Sequence, residues 1–376
     1  MSRLSYRKDI LNCDLTKFPA VVYLALIFFI SRLPFIALGF SAFTNPTDQD
    51  VLAVVNSAYL LRYEHVYAVS RFPGSPFYEI INSLLIDGGW VATNAATAIV
   101  SFLCVILFGK ILNIFEIKNK ALLLVTFAFI PVIWINSTIT MDYMWALMFI
   151  LSAFYLMSIE KHNYSGIALS FATGCRITSA MMVIPLLYLM YHNKKDIKTM
   201  YTFLGITVIA SVLIFSPVLY TYGFEFLKYT PREITFNEVF YGINTQLLSI
   251  PAMIVLFIAF AMTRNRHGND FSFNLSLSVI IVFVLLYIYH PAKPEYLIPI
   301  IPWGLIFLDK YFSRATVIIL CILIILNGIV SVEIQNNGEM IKIGSGSVLK
   351  NYEERKPSIL QSENYLESLS NALRKG

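Results

Sequence analysis

Charge is scarce in this sequence: Asp, Glu, Lys and Arg make up 14% of its 376 residues, against roughly 25% in an ordinary soluble domain. A water-soluble globule of this size is excluded, because too few ionisable side chains exist to clothe it. Cysteine is scarce too. Cys13, Cys104, Cys175 and Cys321 fall in or beside separate apolar segments, with no CxxC and no Cys/His ligand spacing, so neither a disulfide framework nor a zinc site is indicated. The signatures of soluble enzymes are missing as well. There is no Walker loop, no GxGxxG after a strand, no HExxH and no GxSxG, which removes a nucleotide bound in a familiar fold as a source of energy. The net charge of +5 is spread over Lys and Arg separated by long apolar stretches, so it makes no basic face for nucleic acid.

Apolar side chains are what the sequence has in excess. They form 57% of the chain, aromatics alone 15%, and the mean hydropathy is +0.68. Such a chain needs a bilayer as its solvent. Apolar runs lie near 18–38, 90–109, 121–137, 142–159, 165–191, 200–221, 246–263, 272–290, 296–309 and 315–333. The first follows a polar segment, 1–17, and is too long for a signal-peptide core; it reads as a retained first span, with 1–17 cytoplasmic.

Basic residues are retained on the cytoplasmic side of short loops. With the N-terminus inside, one set of loops carries fifteen Lys and Arg, while the opposite set carries five, Arg62, Arg71, Lys228, Arg232 and Lys293. This bias holds only if the 165–191 run crosses twice, since Lys161 and the Lys194/Lys195/Lys198 cluster at its two ends must then share a side. Gly174-Cys175-Arg176 in the middle supplies the break. The expectation is an all-α, polytopic transmembrane helical bundle over 18–333, with about eleven crossings and a broken hairpin whose apex carries Arg176 outward. The first outer loop, 39–89, holds two helix-like stretches, Val51–Leu61 and Phe77–Ile86, expected to lie along the membrane surface. The segment 334–376 reads as a short outer tail: a Gly344–Ser347 linker, then an amphipathic helix near 359–373.

Sorting the polar residues by side gathers Asp48, Asp50, Arg71, Glu79, Asp142, Arg176, His290, Lys293 and Glu295 at one outer boundary. Ionisable groups at membrane depth cost several kcal/mol unless paired or wetted, which singles out Arg32 and Arg176. Each has a purely structural reading. Arg176 can pair with an acid such as Asp142 for folding alone, and Arg32 can snorkel to the outer interface. Asp48 and Asp50 open a helix, where one carboxylate can serve as a cap. Two exceed that need, and a carboxylate there can take a proton from a hydroxyl. Arg71-Phe-Pro-Gly-Ser-Pro76 forces a turn and fixes an Arg beside it. Tyr289-His-Pro-Ala-Lys-Pro-Glu-Tyr296 is a rigid connection whose His290 and Lys293 suit a phosphate. A divalent cation between Asp48 or Asp50 and Glu79 is conceivable, although their spacing lends it no geometric support.

In this order, Arg32, Asp48/Asp50, Arg71–Pro76, Thr140–Tyr143, Gly174–Arg176 and His290–Pro302 resemble the motifs of the GT-C class of polytopic glycosyltransferases. The nearest branch is that of the bacterial and archaeal relatives of protein O-mannosyltransferases and of the lipid A aminoarabinose transferase. The resemblance implies an inverting transfer of a sugar from a polyprenyl-phosphate carrier to a glycan, lipid or protein acceptor. The reaction would take place on the outer face of a bacterial or archaeal cytoplasmic membrane. It implies that Asp50 or Asp48 acts as base, and that Arg71, Glu79, Asp142, Arg176, His290, Lys293, Glu295, Tyr296 and Arg32 bind substrate. Many members carry Asp-Glu where this chain has Asp48-Gln49-Asp50, so both aspartates stay candidates. A lipid-linked saccharide transporter or flippase is the main competitor, since broken helices and intramembrane Arg suit alternating access. A non-enzymatic envelope scaffold is the other.

Overall fold

Proline and the need to satisfy every backbone amide within the chain decide where this apolar sequence is helical and where it breaks. The computed structural model of the protein describes residues 18–40, 48–115, 117, 119–225, 236–262, 270–289, 293–333, 342–356 and 358–373. The segment 1–17 and His290 lie outside them, as does the side chain of Asp48. Among the described residues the fold is all-α apart from one two-stranded ribbon.

The first helix, α1 (Phe18–Ile36), leads to the outer loop. There α2 (Asp48–Tyr59) ends in a wide π turn, Leu60–Glu64, stopped by His65 at φ +57°. The chain then runs back along α2 and starts α3 (Pro76–Leu85). Asp50 meets Arg71 at the start of this pair, and Arg62 meets Asp87 at its end, so α2 and α3 run parallel. The expected second interfacial stretch is not separate from the span after it. A single 3-10 turn joins α3 to α4 (Gly89–Ile114), giving helical residues throughout Pro76–Ile114.

The run 121–137 is cut at Pro131 into α5 (Lys120–Phe129) and α6 (Pro131–Asn136). The centre of the molecule is α7 (Tyr143–Ser158), whose Leu147, Ile150, Leu151 and Phe154 are fully buried. It packs on α4 and on α8 (His162–Cys175). After Arg176, in extended conformation, a 3-10 turn Ile177–Met182 leads into α9 (Val183–His192). Lys195 then pairs with Glu160 at 2.9 Å. Both ends of the 165–191 run thus return to one end of the molecule, and Arg176 stands at the other, one length of α7 away, about 24 Å at 1.5 Å per residue.

Next come α10 (Ile197–Ile214) and α11 (Ser216–Tyr222), separated before Pro217. The expected span at 246–263 is α13 (Ile250–Met262), entered by a 90° turn from a preceding helix, α12 (Phe236–Gln246). It is followed by α14 (Phe271–Tyr289), a 3-10 stretch Pro294–Ile300 held open by its prolines, α15 (Ile301–Tyr311) and α16 (Arg314–Leu326). The last run does not stay helical to 333. Strand β1 (Val330–Glu333) pairs antiparallel with β2 (Lys342–Ser345), Val330 opposite Ser345. Part of the expected Gly344–Ser347 linker is therefore strand, and α17 (Ser347–Arg355) follows before the expected amphipathic helix, α18 (Ser358–Leu373).

Among the described residues, three helices are long and apolar enough to cross a membrane, Pro76–Ile114, Ile197–Ile214 and Phe271–Tyr289, or four if the bent α12/α13 pair is one span. Large apolar side chains stand exposed along α10, among them Val208, Ile209, Val212 and Leu213, and along α14 at Ile281, Leu285 and Ile288. Such faces require an apolar surround.

Candidate functional site at the Arg176 end

The two ends of the bundle differ in chemistry. At one, Lys195 pairs with Glu160, Lys310 pairs with Asp270 at 3.2 Å, and Asn119 donates to Asp309. At the other, charges from five distant parts of the sequence meet.

Asp142 lies at the N-cap of α7 and is 1% exposed. Its carboxylate accepts from Arg71 Nη2 at 3.0 and 2.9 Å, from Arg176 Nη1 at 3.0 Å and from Ser75 Oγ at 2.8 Å. Asp50, in the first turn of α2, has one oxygen 2.6 Å from Lys293 Nζ and 3.1 Å from Arg71 Nη1. Arg71 therefore bridges the two acids, and Asp50 and Arg176 belong to one network. Arg176 also lies over the rings of Tyr143 and Tyr296, 4.3 and 4.5 Å from their centroids, a cation–π seat that fixes its guanidinium.

The two aspartates differ in what remains open to them. Asp142 is saturated and shut away, and acts as the anchor of two guanidinium groups. The Asp50 side chain is 29% exposed, and among the described residues its Oδ1 accepts no hydrogen bond. The N-termini of α2, α3 and α7 and of the Pro294–Ile300 turn all point to this end, adding positive dipole ends to three cations set against two carboxylates. Burial alone would lower the Arg71 pKa, but the Asp142 carboxylate together with Tyr143, Asp50 and Tyr296 outweighs it, and the guanidinium is held well above its usual value. Burial pushes the Glu295 carboxyl up from the usual carboxylate range.

Local sequence explains the placement. Arg71 opens a tight turn in which the Phe72–Pro73 peptide is cis, Gly74 takes φ +98° and its N–H donates to Arg71 O at 2.7 Å. Pro76 then starts α3 where no amide donor is needed. Gly174 lets the Arg176 apex close, since a Cβ there would come within 2.4 Å of Ile214 and 3.0 Å of Phe77.

Not every expected residue joins the network. Glu79 is fully buried, but accepts from Tyr67 OH at 2.6 Å and from Ser70 N and Oγ at 2.8 and 2.7 Å. It pins the returning segment 67–70 against α3. Glu79 is so occupied and Asp50 faces two cations, so these two do not meet around a cation, and among the described residues no group of three His, Cys, Asp or Glu comes together.

Arg32 neither snorkels nor reaches this network. It is 0% exposed, donates to Ser137 Oγ at 2.9 Å and Ala128 O at 2.7 Å, and lies between Phe28 and Trp134, 4.1 and 4.0 Å from their centroids. The break before Pro131 leaves the last carbonyls of α5 without helical donors, and Arg32 supplies one. Beside it, an apolar cavity of about 510 Å³ opens among Pro34, Phe35, Phe129, Trp134, Ile325 and Tyr352, remote in character from the ionic network.

Ser75, Tyr143 as a guanidinium platform, and α12, which brings Gln246 beside Glu295, escape a reading of charge alone. Ser75 and Tyr143 lie within the motif segments Arg71–Pro76 and Thr140–Tyr143; nothing in the sequence signals Gln246. The tail also packs at this end. Arg355 of α17, 0% exposed, donates to Thr138 Oγ1, Thr138 O and Gly39 O at 3.0, 2.9 and 3.0 Å, and Tyr365 OH of α18 donates to Leu52 O at 3.4 Å. Compared with protein-family models, curated proteins and solved structures, the chain matches none.

Proposed function

We propose that this chain is an inverting membrane glycosyltransferase that moves a sugar from a polyprenyl-phosphate carrier to an acceptor hydroxyl on the outer face of the membrane. The observation that carries this reading is the meeting of Arg71, Arg176 and Lys293 around Asp50 and Asp142, at the end of the bundle opposite Glu160 and Lys195. A polytopic chain of about eleven crossings, as in the GT-C class it resembles, fits this arrangement. A lipid phosphate sits at headgroup depth, and its charge grows as it leaves. Cations there, preorganised by Asp142 and the Tyr143 and Tyr296 rings, favour that departure.

The chemistry balances without another reactant. The acceptor hydroxyl gives its proton to Asp50 Oδ1, its oxygen bonds to the anomeric carbon from the face opposite the phosphate, and the bond from that carbon to the phosphate oxygen breaks with its electrons going to the phosphate. Inversion follows from the in-line geometry.

The test is sugar transfer from labelled polyprenyl-phosphate sugar in Asp50→Asn and Asp48→Asn, made separately. Loss of a general base costs about 10²–10⁴-fold, so Asp50→Asn is expected to fall by that factor and Asp48→Asn by far less. Full activity in Asp50→Asn overturns the assignment of the base. A protein that moves the carrier across the bilayer without transferring sugar overturns the enzyme reading in favour of a flippase.

A further inference from the structure

Beside the ionic network lies a second set of polar groups with a different character. Glu295 is 6% exposed, Tyr143 3% and Tyr287 8%. Glu295 Oε2, Tyr143 OH, Tyr287 OH and Gln246 Oε1 are all buried without a hydrogen-bond partner among the described residues. A buried polar atom left unmade costs about 1–3 kcal/mol, so four in one neighbourhood mark a place completed by something outside the chain.

The neighbourhood is common to all four. The Pro294–Ile300 turn packs against α7, α12 and α14, which carry Tyr143, Gln246 and Tyr287, and Gly242 of α12 approaches Pro294 so closely that a Cβ would sit 3.0 Å from its ring. Glu295 is in hydrogen-bonding contact with the Gln246 side chain and within electrostatic reach of Tyr143 and Tyr287. The set is also continuous with the cations: Tyr143 follows Asp142, and Glu295 stands between Lys293 and Tyr296 in the chain.

Its chemistry does not suit a phosphate, because none of the four groups carries a positive charge. Two phenols, a carboxyl and an amide offer mixed donors and acceptors instead, and the Tyr143 and Tyr296 rings, 6.3 Å apart, add flat apolar faces. Resting on the transferase reading above, we propose that Glu295, Gln246 and Tyr287, with Tyr143 beside them, form the subsite that reads the hydroxyls of the carried sugar, while Arg71, Arg176 and Lys293 take its phosphate. The sugar is thus selected by hydrogen bonds on the Pro294–Ile300 side, apart from the acid that serves as base.

The experiment compares binding of undecaprenyl phosphate with that of undecaprenyl-phosphate glucose, mannose and galactose to the full chain in nanodiscs. The wild-type protein is expected to bind at least one glycosylated carrier about tenfold more tightly than the bare one, about 1.4 kcal/mol. Tyr287→Phe and Gln246→Leu are each expected to lose most of that difference while binding bare carrier within twofold of wild type, which also reports that they fold. No preference for any glycosylated carrier overturns the subsite, and so does a parallel loss of bare and glycosylated binding. The transferase reading fails separately, if the wild-type protein binds no carrier at all or if Arg176→Gln leaves bare-carrier binding intact.

Discussion

Asp142 and Asp50 carry the same functional group in different settings: one accepts four hydrogen bonds in a closed site, and the other is 29% exposed and meets its two cations through one oxygen. Breaking a buried ion pair from one side leaves an uncompensated charge, at a cost of about 3–5 kcal/mol. Arg176→Ala should therefore lower the apparent Tm of the purified protein by several degrees, with Arg176→Lys recovering only part, since an ammonium cannot match the planar seat between Tyr143 and Tyr296. An unchanged Tm in thermal scans would contradict the pairing. Glu295 gives a pH-dependent counterpart. Its folded pKa is raised by burial, so the folded state is favoured below the ordinary carboxylate range and loses stability as pH climbs toward the raised value. Glu295→Gln escapes that loss. Thermal scans from about pH 4 to 8 should show the variant gaining on wild type as pH rises, and a constant gap would rule the account out. Most of these residues were legible as charges on one side of an apolar pattern. Their contacts were not. Arg32 looks like Arg176 in sequence, an Arg in an apolar run, yet it serves the carbonyls of a helix broken by Pro131, because partner identity depends on packing that periodicity does not encode.

At the scale of elements, the Gly174–Arg176 break shows what the charge count could see. Lys161 and Lys194 at opposite ends of one apolar run required a reversal, and the Lys195–Glu160 pair closes it. The tail shows what it could not. A Gly-rich stretch and alternating charge read as a linker before a short helix, but Gly346 packs so closely on Gly328 that a Cβ would come within 2.3 Å of its backbone. Arg355 then ties α17 to Gly39 and Thr138, the residues that flank the outer loop and the approach to Asp142. Arg355→Met keeps the length and removes three hydrogen bonds made by a charged group, each worth about 1.5–3 kcal/mol. The tail of that variant should be cut by protease at least tenfold faster than in wild type, with the bundle intact. Equal cutting rates would mean that Arg355 does not hold it.

For the whole molecule, the account requires two chemically distinct ends on opposite sides of a bilayer. At one end Lys195 and Lys310 pair with Glu160 and Asp270, and the Lys293 end carries the network of Asp50, Asp142, Arg71 and Arg176. Single cysteines introduced beside Lys195 and beside Lys293, in a chain whose native cysteines are replaced by serine, should react with an impermeant thiol reagent from opposite faces of sealed vesicles. Reaction from the same face would break the topology. The crossing number was read from runs of apolar residues, and prolines at 131, 217 and 299 cut several of those runs into shorter helices, a feature that hydropathy averages away. The most direct measurement of the central claim is the affinity of undecaprenyl phosphate for the protein in nanodiscs, wild type against Arg176→Gln. The account predicts saturable binding that weakens at least tenfold in the variant, and equal affinities, or no binding to either, would contradict it.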